Sequence, residues 1–166
     1  MVKLLRILVV LAALTTVTAT TALADKPDRD PSPGNPTATF PAGFVCPFEL
    51  TASDVVNDST TTTHYDKLGG VRWDHGSGRI VSRFAGNGKS VDLNLSGPGK
   101  ITFGDDGLVH VEGTGPWGLL FFPGDSPAST ALYFKGHFHF TVDPATGTLT
   151  LVSHTGSVQS ICDMLS

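Results

Sequence analysis

The chain has 166 residues, 40% of them hydrophobic and 16% charged, with a formal net charge of −4 at pH 7. This is the length of one domain, long enough to build a hydrophobic core without metal ions. The charges are scattered and slightly acidic on balance, which argues against nucleic acid and anionic membranes as partners, because both select clustered lysine and arginine.

Residues 1–24 have the pattern of a cleaved signal peptide. Lys3 and Arg6 flank the start of an apolar run that ends near Leu14, and Ala22–Ala24 has the small-x-small pattern that signal peptidase recognises. The run is too short for a membrane span, so we expect no stable membrane anchor. Cleavage before Asp25 leaves 9 basic and 15 acidic residues, a formal net charge of −6. The sequence therefore predicts a secreted, extracellular protein.

Residues 25–39 contain many Asp, Pro, Ser, Gly and Asn residues and almost nothing apolar. This composition predicts a disordered Pro-rich linker, which places the folded domain at residues 40–166. Phe44, Cys46, Phe48 and Leu50 alternate with other residues, which predicts a first strand with its cysteine facing the core.

Turn signals then separate short segments with strand character. Asn87-Gly88 is a type I′ hairpin signal, because both residues accept a positive φ, and Gly104–Gly107 is a second hairpin turn. The later strands are expected at residues 60–65, 71–73, 79–84, 91–95, 100–103, 108–112, 117–122, 131–142 and 149–152, with a last short segment at 157–164.

The clearest element is the hairpin that begins at Ala131. Apolar side chains at every second position indicate a strand on a core, and Asp143–Gly147 forms the turn. The apolar positions are Leu132, Phe134, Phe138 and Phe140, alternating with Tyr133, Lys135, His137, His139 and Thr141.

About nine or ten strands and no convincing helix predict an all-β fold. We expect an antiparallel up-and-down β-barrel, with a β-sandwich as the alternative. The two cysteines, Cys46 and Cys162, predict a disulfide in an exported protein, and two free thiols are the alternative. A bridge between the first and last strands favours closure into a barrel. A monomer is expected.

His137 and His139 are the candidates for a metal site. On a strand they project from one face about 7 Å apart, and a third ligand would come from His110, His154 or an acidic residue. The alternative is a solvated polar face. No motif requires a cofactor, and no residue is assigned as catalytic.

Aromatic residues give a second alternative. Trp73 and Trp117, with Phe103 and the pair Phe121-Phe122, belong either to the core or to the mouth of a barrel that binds a ligand or a sugar.

Two segments, Phe40–Leu50 and Asn94–Gly99, together with the cysteine near the C-terminus, resemble small secreted proteins of unknown function from actinomycetes. The resemblance implies export from a bacterium and an all-β fold, and it transfers no catalytic residue. The sequence leans against an enzyme and favours a binding or interaction module, with a small apolar ligand or an extracellular partner. The alternatives are a metal protein or enzyme that uses His137 and His139, and a cell-wall-associated structural domain.

Overall fold

The computed structural model describes residues 27–166, so the predicted signal peptide lies outside the described residues. In this part of the chain, no helix is long and apolar enough to cross a membrane. The elements, in chain order, are β1 (Asp28–Pro31), β2 (Ala38–Phe40), β3 (Leu50–Tyr65), β4 (Val71–Gly86), β5 (Lys89–Asn94), β6 (Gly99–Phe103), β7 (Val109–Phe121), β8 (Thr130–Val142), β9 (Leu149–His154), β10 (Ser157–Ser160) and α1 (Ile161–Met164).

The ten strands form one sheet in the order β1-β3-β4-β6-β7-β8-β10, with β2 also beside β3, β5 beside β4 and β9 beside β8. All of these pairs are antiparallel. The predicted all-β class, the antiparallel pairing and the strand count are confirmed. Among the described strands, β1 and β10 end the ladder and do not pair with each other. An open ladder of this order is found in incomplete barrels and in sandwiches, so the barrel stays a prediction.

The predicted hairpins form where the turn chemistry placed them. Gly86 pairs with Lys89 across Asn87 and Gly88, which have φ values of 51° and 73°. Both values lie in the left-handed region that a type I′ turn requires. The β7–β8 hairpin is longer, because its register continues from Val109 opposite Val142 to Phe121 opposite Thr130.

Strand β8 contributes to two hydrophobic clusters, one on each of its faces. Phe134, Phe138 and Phe140 belong to the first cluster, as the alternation predicted. Ala131 and Tyr133 belong to the second, although Tyr133 is predicted on the polar face. The beginning of β8 is therefore covered on both sides, while its later part keeps one face polar. The second cluster also contains Val45, Cys46, Leu50, Phe84, Leu93, Ile161, Cys162 and Leu165.

The predicted disulfide between Cys46 and Cys162 is present, with the Cα atoms 5.5 Å apart. Neither cysteine lies on a strand, so the predicted first strand at 44–50 is wrong. Gly43 has a φ of 84° and donates its N–H to the Cys46 carbonyl at 2.7 Å, which makes this segment a turn. Cys162 lies in α1, whose N-cap is Ser160, because the Ser160 hydroxyl accepts the Asp163 N–H at 3.1 Å.

The segment predicted as a disordered linker contains β1 and β2. Strand β1 pairs with residues 60–63 of β3, and all four of its residues are exposed. Polar contacts support it: the Tyr65 hydroxyl donates to Asp28 at 3.1 Å, and Arg29 Nε donates to Thr60 Oγ1 at 3.3 Å. The composition argument was wrong here because it counted only apolar burial, whereas this segment is held by ladder and side-chain hydrogen bonds.

Candidate functional site

An apolar cleft opens between the N-terminal segment, β3, β4 and β7. Its larger lobe has a volume of about 440 Å³, and an adjoining lobe has a volume of about 300 Å³. The two lobes share Asn35, Ser82, Leu95 and Gly118, so they lie side by side. We call the two lobes together the cleft. Volumes in this range are typical of small-molecule sites.

The larger lobe has an apolar wall and a neutral polar rim. The wall is formed by Ile80, Leu95, Ile101 and Trp117. The rim carries hydroxyl and amide groups, from Ser32, Asn35, Asn57, Ser59, Ser77 and Ser82. Of the residues that the structure describes, no lysine, arginine, aspartate or glutamate lines this lobe. The lining can bury an apolar body and hydrogen-bond a neutral polar group.

Residues 32–37, which connect β1 to β2 and which we call the strap, cover one side of the cleft. Ser32 donates its N–H to the Ser59 carbonyl at 2.9 Å, and its hydroxyl lies 2.8 Å from Thr61 Oγ1. Pro33 and Pro36 restrict the backbone of the strap. Hydrogen bonds to β3 therefore hold the β1 end of the strap in place.

The carboxylate of Asp54 ties the middle of the strap. Its Oδ2 accepts the Asn35 N–H at 2.9 Å, and also lies 3.3 Å from Asn57 Nδ2. Its Oδ1 accepts the Ser82 hydroxyl at 2.7 Å. A register shift in β3 between Asp54 and Val56 marks a bulge at this point. One carboxylate thus joins the strap, β3 and β4 beside the cleft.

Trp117 forms part of the apolar wall and lies against the backbone of β6 and of the segment before it. A Cβ atom at Gly97 or at Gly99 would overlap the indole, which explains why both positions are glycine. The indole Nε1 is buried and has no hydrogen-bond partner among the described residues. A buried donor without a partner lowers the stability of a fold by about 1–3 kcal/mol, so an unpaired indole N–H beside the cleft is an unusual feature that calls for an explanation.

The opposite face of the same strands is polar and rich in histidine. Gly76 and Ile101 line the cleft, whereas their chain neighbours His75 and Lys100 line a groove of about 500 Å³. The pairing registers align one residue from each of five strands across this groove: His75, Lys100, Glu112, His139 and Ser153. We call this surface the histidine face. It carries five of the chain's six histidines, namely His64, His75, His110, His137 and His139.

A hydrogen-bonded chain of three side chains lies at the end of the histidine face. His110 Nε2 is 3.0 Å from Asp106 Oδ2, and His110 Nδ1 is 3.1 Å from His139 Nε2. With both rings neutral, His110 donates to Asp106 and accepts from His139. The Leu108 N–H, followed by His110, holds the pKa of the Asp106 carboxyl below its usual range, while partial desolvation opposes this effect.

The two predicted metal candidates lie on one face of β8, but their ring nitrogens have other partners. His137 Nδ1 is 3.0 Å from Thr114 Oγ1, and His139 contacts His110. His154 packs edge-on against Phe134, with the ring centroids 6.1 Å apart. In residues 27–166, no three His, Cys, Asp or Glu side chains are placed to hold a metal ion. The metal hypothesis therefore lacks its third ligand in this part of the chain.

Some of the aromatic residues singled out in the sequence are core residues, and one lines a possible ligand site. Phe121 is fully buried in the core, and Phe103 is half exposed. Trp73 lies on the histidine face, where it stacks on His64 with the ring centroids 3.6 Å apart. Only Trp117 among these five lines the cleft. Sequence reasoning missed the strap and Asp54, because a polar segment and a lone carboxylate carry no local signal for a site.

Comparison with family models, with curated proteins and with solved structures gives no match. The resemblance to secreted actinomycete proteins stays a prediction, and the functional assignment depends on the geometry of the cleft.

Proposed function

We propose that the chain is a secreted, non-enzymatic binding module that holds a small apolar or amphipathic ligand in the cleft. The observation that carries this proposal is the cleft itself, an apolar space between packed strands that a tied strap partly covers. Pockets of this kind, apolar with a few placed polar groups, are the usual form of small-molecule sites. The buried disulfide supports export, because such bonds persist in oxidising compartments.

Binding without catalysis is favoured by the lining of the cleft. Among the described residues, the hydroxyls that line the cleft belong to serines, and no histidine lines it. The acidic group in contact with one of them, Asp54, accepts the Ser82 hydroxyl together with donors from Asn35 and Asn57, so it joins the strap to the strands and has no imidazole beside it in the cleft to form a nucleophile–base pair. The histidine face lies on the other side of β4 and β6, so its imidazoles cannot act on a molecule in the cleft.

Native mass spectrometry of the protein recovered from the medium of an expressing culture tests this proposal. We expect a mature mass that begins at Asp25 and an added small mass that leaves on denaturation. The matched variant is Gly76→Leu, because a Cβ at Gly76 meets no atom within 4 Å and the leucine would fill the cleft. Arg79→Leu, on the same strand but outside the cleft, is the control.

The proposal predicts that Gly76→Leu loses the added mass while Arg79→Leu keeps it. An added mass that both variants keep would place the ligand elsewhere and contradict the proposal. A bare protein that also fails to take up added amphiphiles would favour the cell-wall or surface-interaction alternative.

A further inference from the structure

We infer that the ligand of the cleft is an uncharged amphiphile, with an alkyl or similar apolar body and a hydroxyl, ester or amide head. This inference rests on the proposed function and specifies its ligand class. It follows from the charges around the cleft and from the buried indole N–H that lacks a partner.

The lining offers no partner for a carboxylate or a phosphate. In the described chain, the groups that line the larger lobe are hydroxyls, amides, backbone and hydrocarbon. Among the described residues that line the adjoining lobe, the one acidic or basic side chain is Asp54, which already accepts hydrogen bonds from three different residues. An anionic head would lose its hydration without gaining a cation, and it would be repelled by Asp54.

The same contacts leave Asp54 without a free oxygen for a cationic head. The oxygens of the Asp54 carboxylate accept hydrogen bonds from Asn35, Asn57 and Ser82. These bonds hold the strap to β3 and β4. Recruiting Asp54 to a cation would release those donors, and the buried Ser82 hydroxyl would then lose its partner at a cost in free energy. A neutral head requires no such exchange.

The indole N–H of Trp117 provides the complementary donor. The nitrogen lies against Gly97, which also lines the larger lobe, and it is unpaired among the described residues. Because the nitrogen is buried against Gly97, a neutral oxygen acceptor on a ligand would satisfy this donor when the Gly97 segment moves aside, and the serines and amides of the rim would bind the rest of the head. The apolar body would lie along Ile80, Leu95 and Ile101.

The test compares 1-octanol with octanoate at pH 8, where octanoate is ionised and the two chains have equal length. Binding is followed by the fluorescence of Trp117 in a Trp73→Phe variant, because the chain has only these two tryptophans. We expect saturable binding of 1-octanol, strengthening about fourfold for each added methylene from hexanol to octanol. Octanoate is expected to bind roughly tenfold or more weakly, because its carboxylate is desolvated without a cationic partner.

Octanoate that binds as tightly as 1-octanol would overturn the inference of a neutral head and leave the proposed function standing. Binding of 1-octanol that Gly76→Leu does not weaken would overturn the inference, because the alcohol would then lie outside the cleft. Failure of both probes, together with a bare protein in native mass spectrometry, would overturn the proposed function as well.

Discussion

Removal of the disulfide by the double substitution Cys46→Ala/Cys162→Ala is the sharpest test of how this fold is stabilised. The bridge closes a loop with a sequence separation of 116 residues. In the chain-entropy model, a loop of that length destabilises the unfolded state by about 4–5 kcal/mol. A domain of this size is stable by roughly 5–15 kcal/mol, so the loss is a large part of the total. Alanine keeps both buried positions apolar, which limits the added packing cost.

The assay is equilibrium unfolding in guanidinium chloride, followed by tryptophan fluorescence and by far-UV circular dichroism. We expect a lower midpoint for the double variant and a steeper dependence on denaturant, because the unfolded chain without the bridge is more expanded. Reduced wild-type protein is the control, since it loses the same constraint without a substitution. A loss below about 1 kcal/mol in both proteins would refute the loop-closure argument.

Three further predictions concern packing, backbone and pH. Phe121→Ala removes a fully buried ring and should lower the free energy of unfolding by about 3–5 kcal/mol in the same assay. Gly136→Ala should lower the thermal midpoint, because Gly136 has a φ of 148° and a Cβ there would overlap the Thr155 carbonyl. An unchanged midpoint would contradict this backbone geometry. Backbone N–H donors lower the pKa of the Asp106 and Asp143 carboxyls in the folded protein. Both carboxyls therefore stabilise the fold above about pH 4, and this contribution is lost as the pH falls through their folded pKa values. In Asp143→Asn, the free energy of unfolding should fall less steeply with decreasing pH in the acid range than in the wild type.

The sequence predicts those parts of the fold that local chemistry determines. Asn87-Gly88 and Asp143–Gly147 specify their hairpins, because few residues accept the required φ values. The alternation along β8 places His137 and His139 on one face, and the structure confirms this. The same reasoning was wrong at Cys46, where alternation suggested a strand but Gly43 bends the chain. The helix after Ser160 was missed, although Ser-x-x-Asp is a capping pattern.

The candidate site was beyond sequence reasoning because its parts are far apart in the chain. Gly76, Ile101 and Trp117 come together only through the order of β4, β6 and β7. The strap gave a misleading signal, since its composition resembles that of a disordered linker, and only the Asp54 contacts show how it is held. The order in which strands pair produces no periodic pattern in the sequence, and neither do the hydrogen bonds of a single carboxylate such as Asp54.

A two-dimensional ¹H–¹⁵N NMR titration of the full mature chain with 1-octanol tests the central claim most directly. The account predicts that the indole N–H of Trp117 shifts strongly, as its unpaired donor gains an acceptor, together with the backbone amides of Ile80, Leu95 and Gly118. Changes confined to the histidine face, with the indole signal of Trp117 unmoved at saturation, would contradict the claim that the cleft is the binding site.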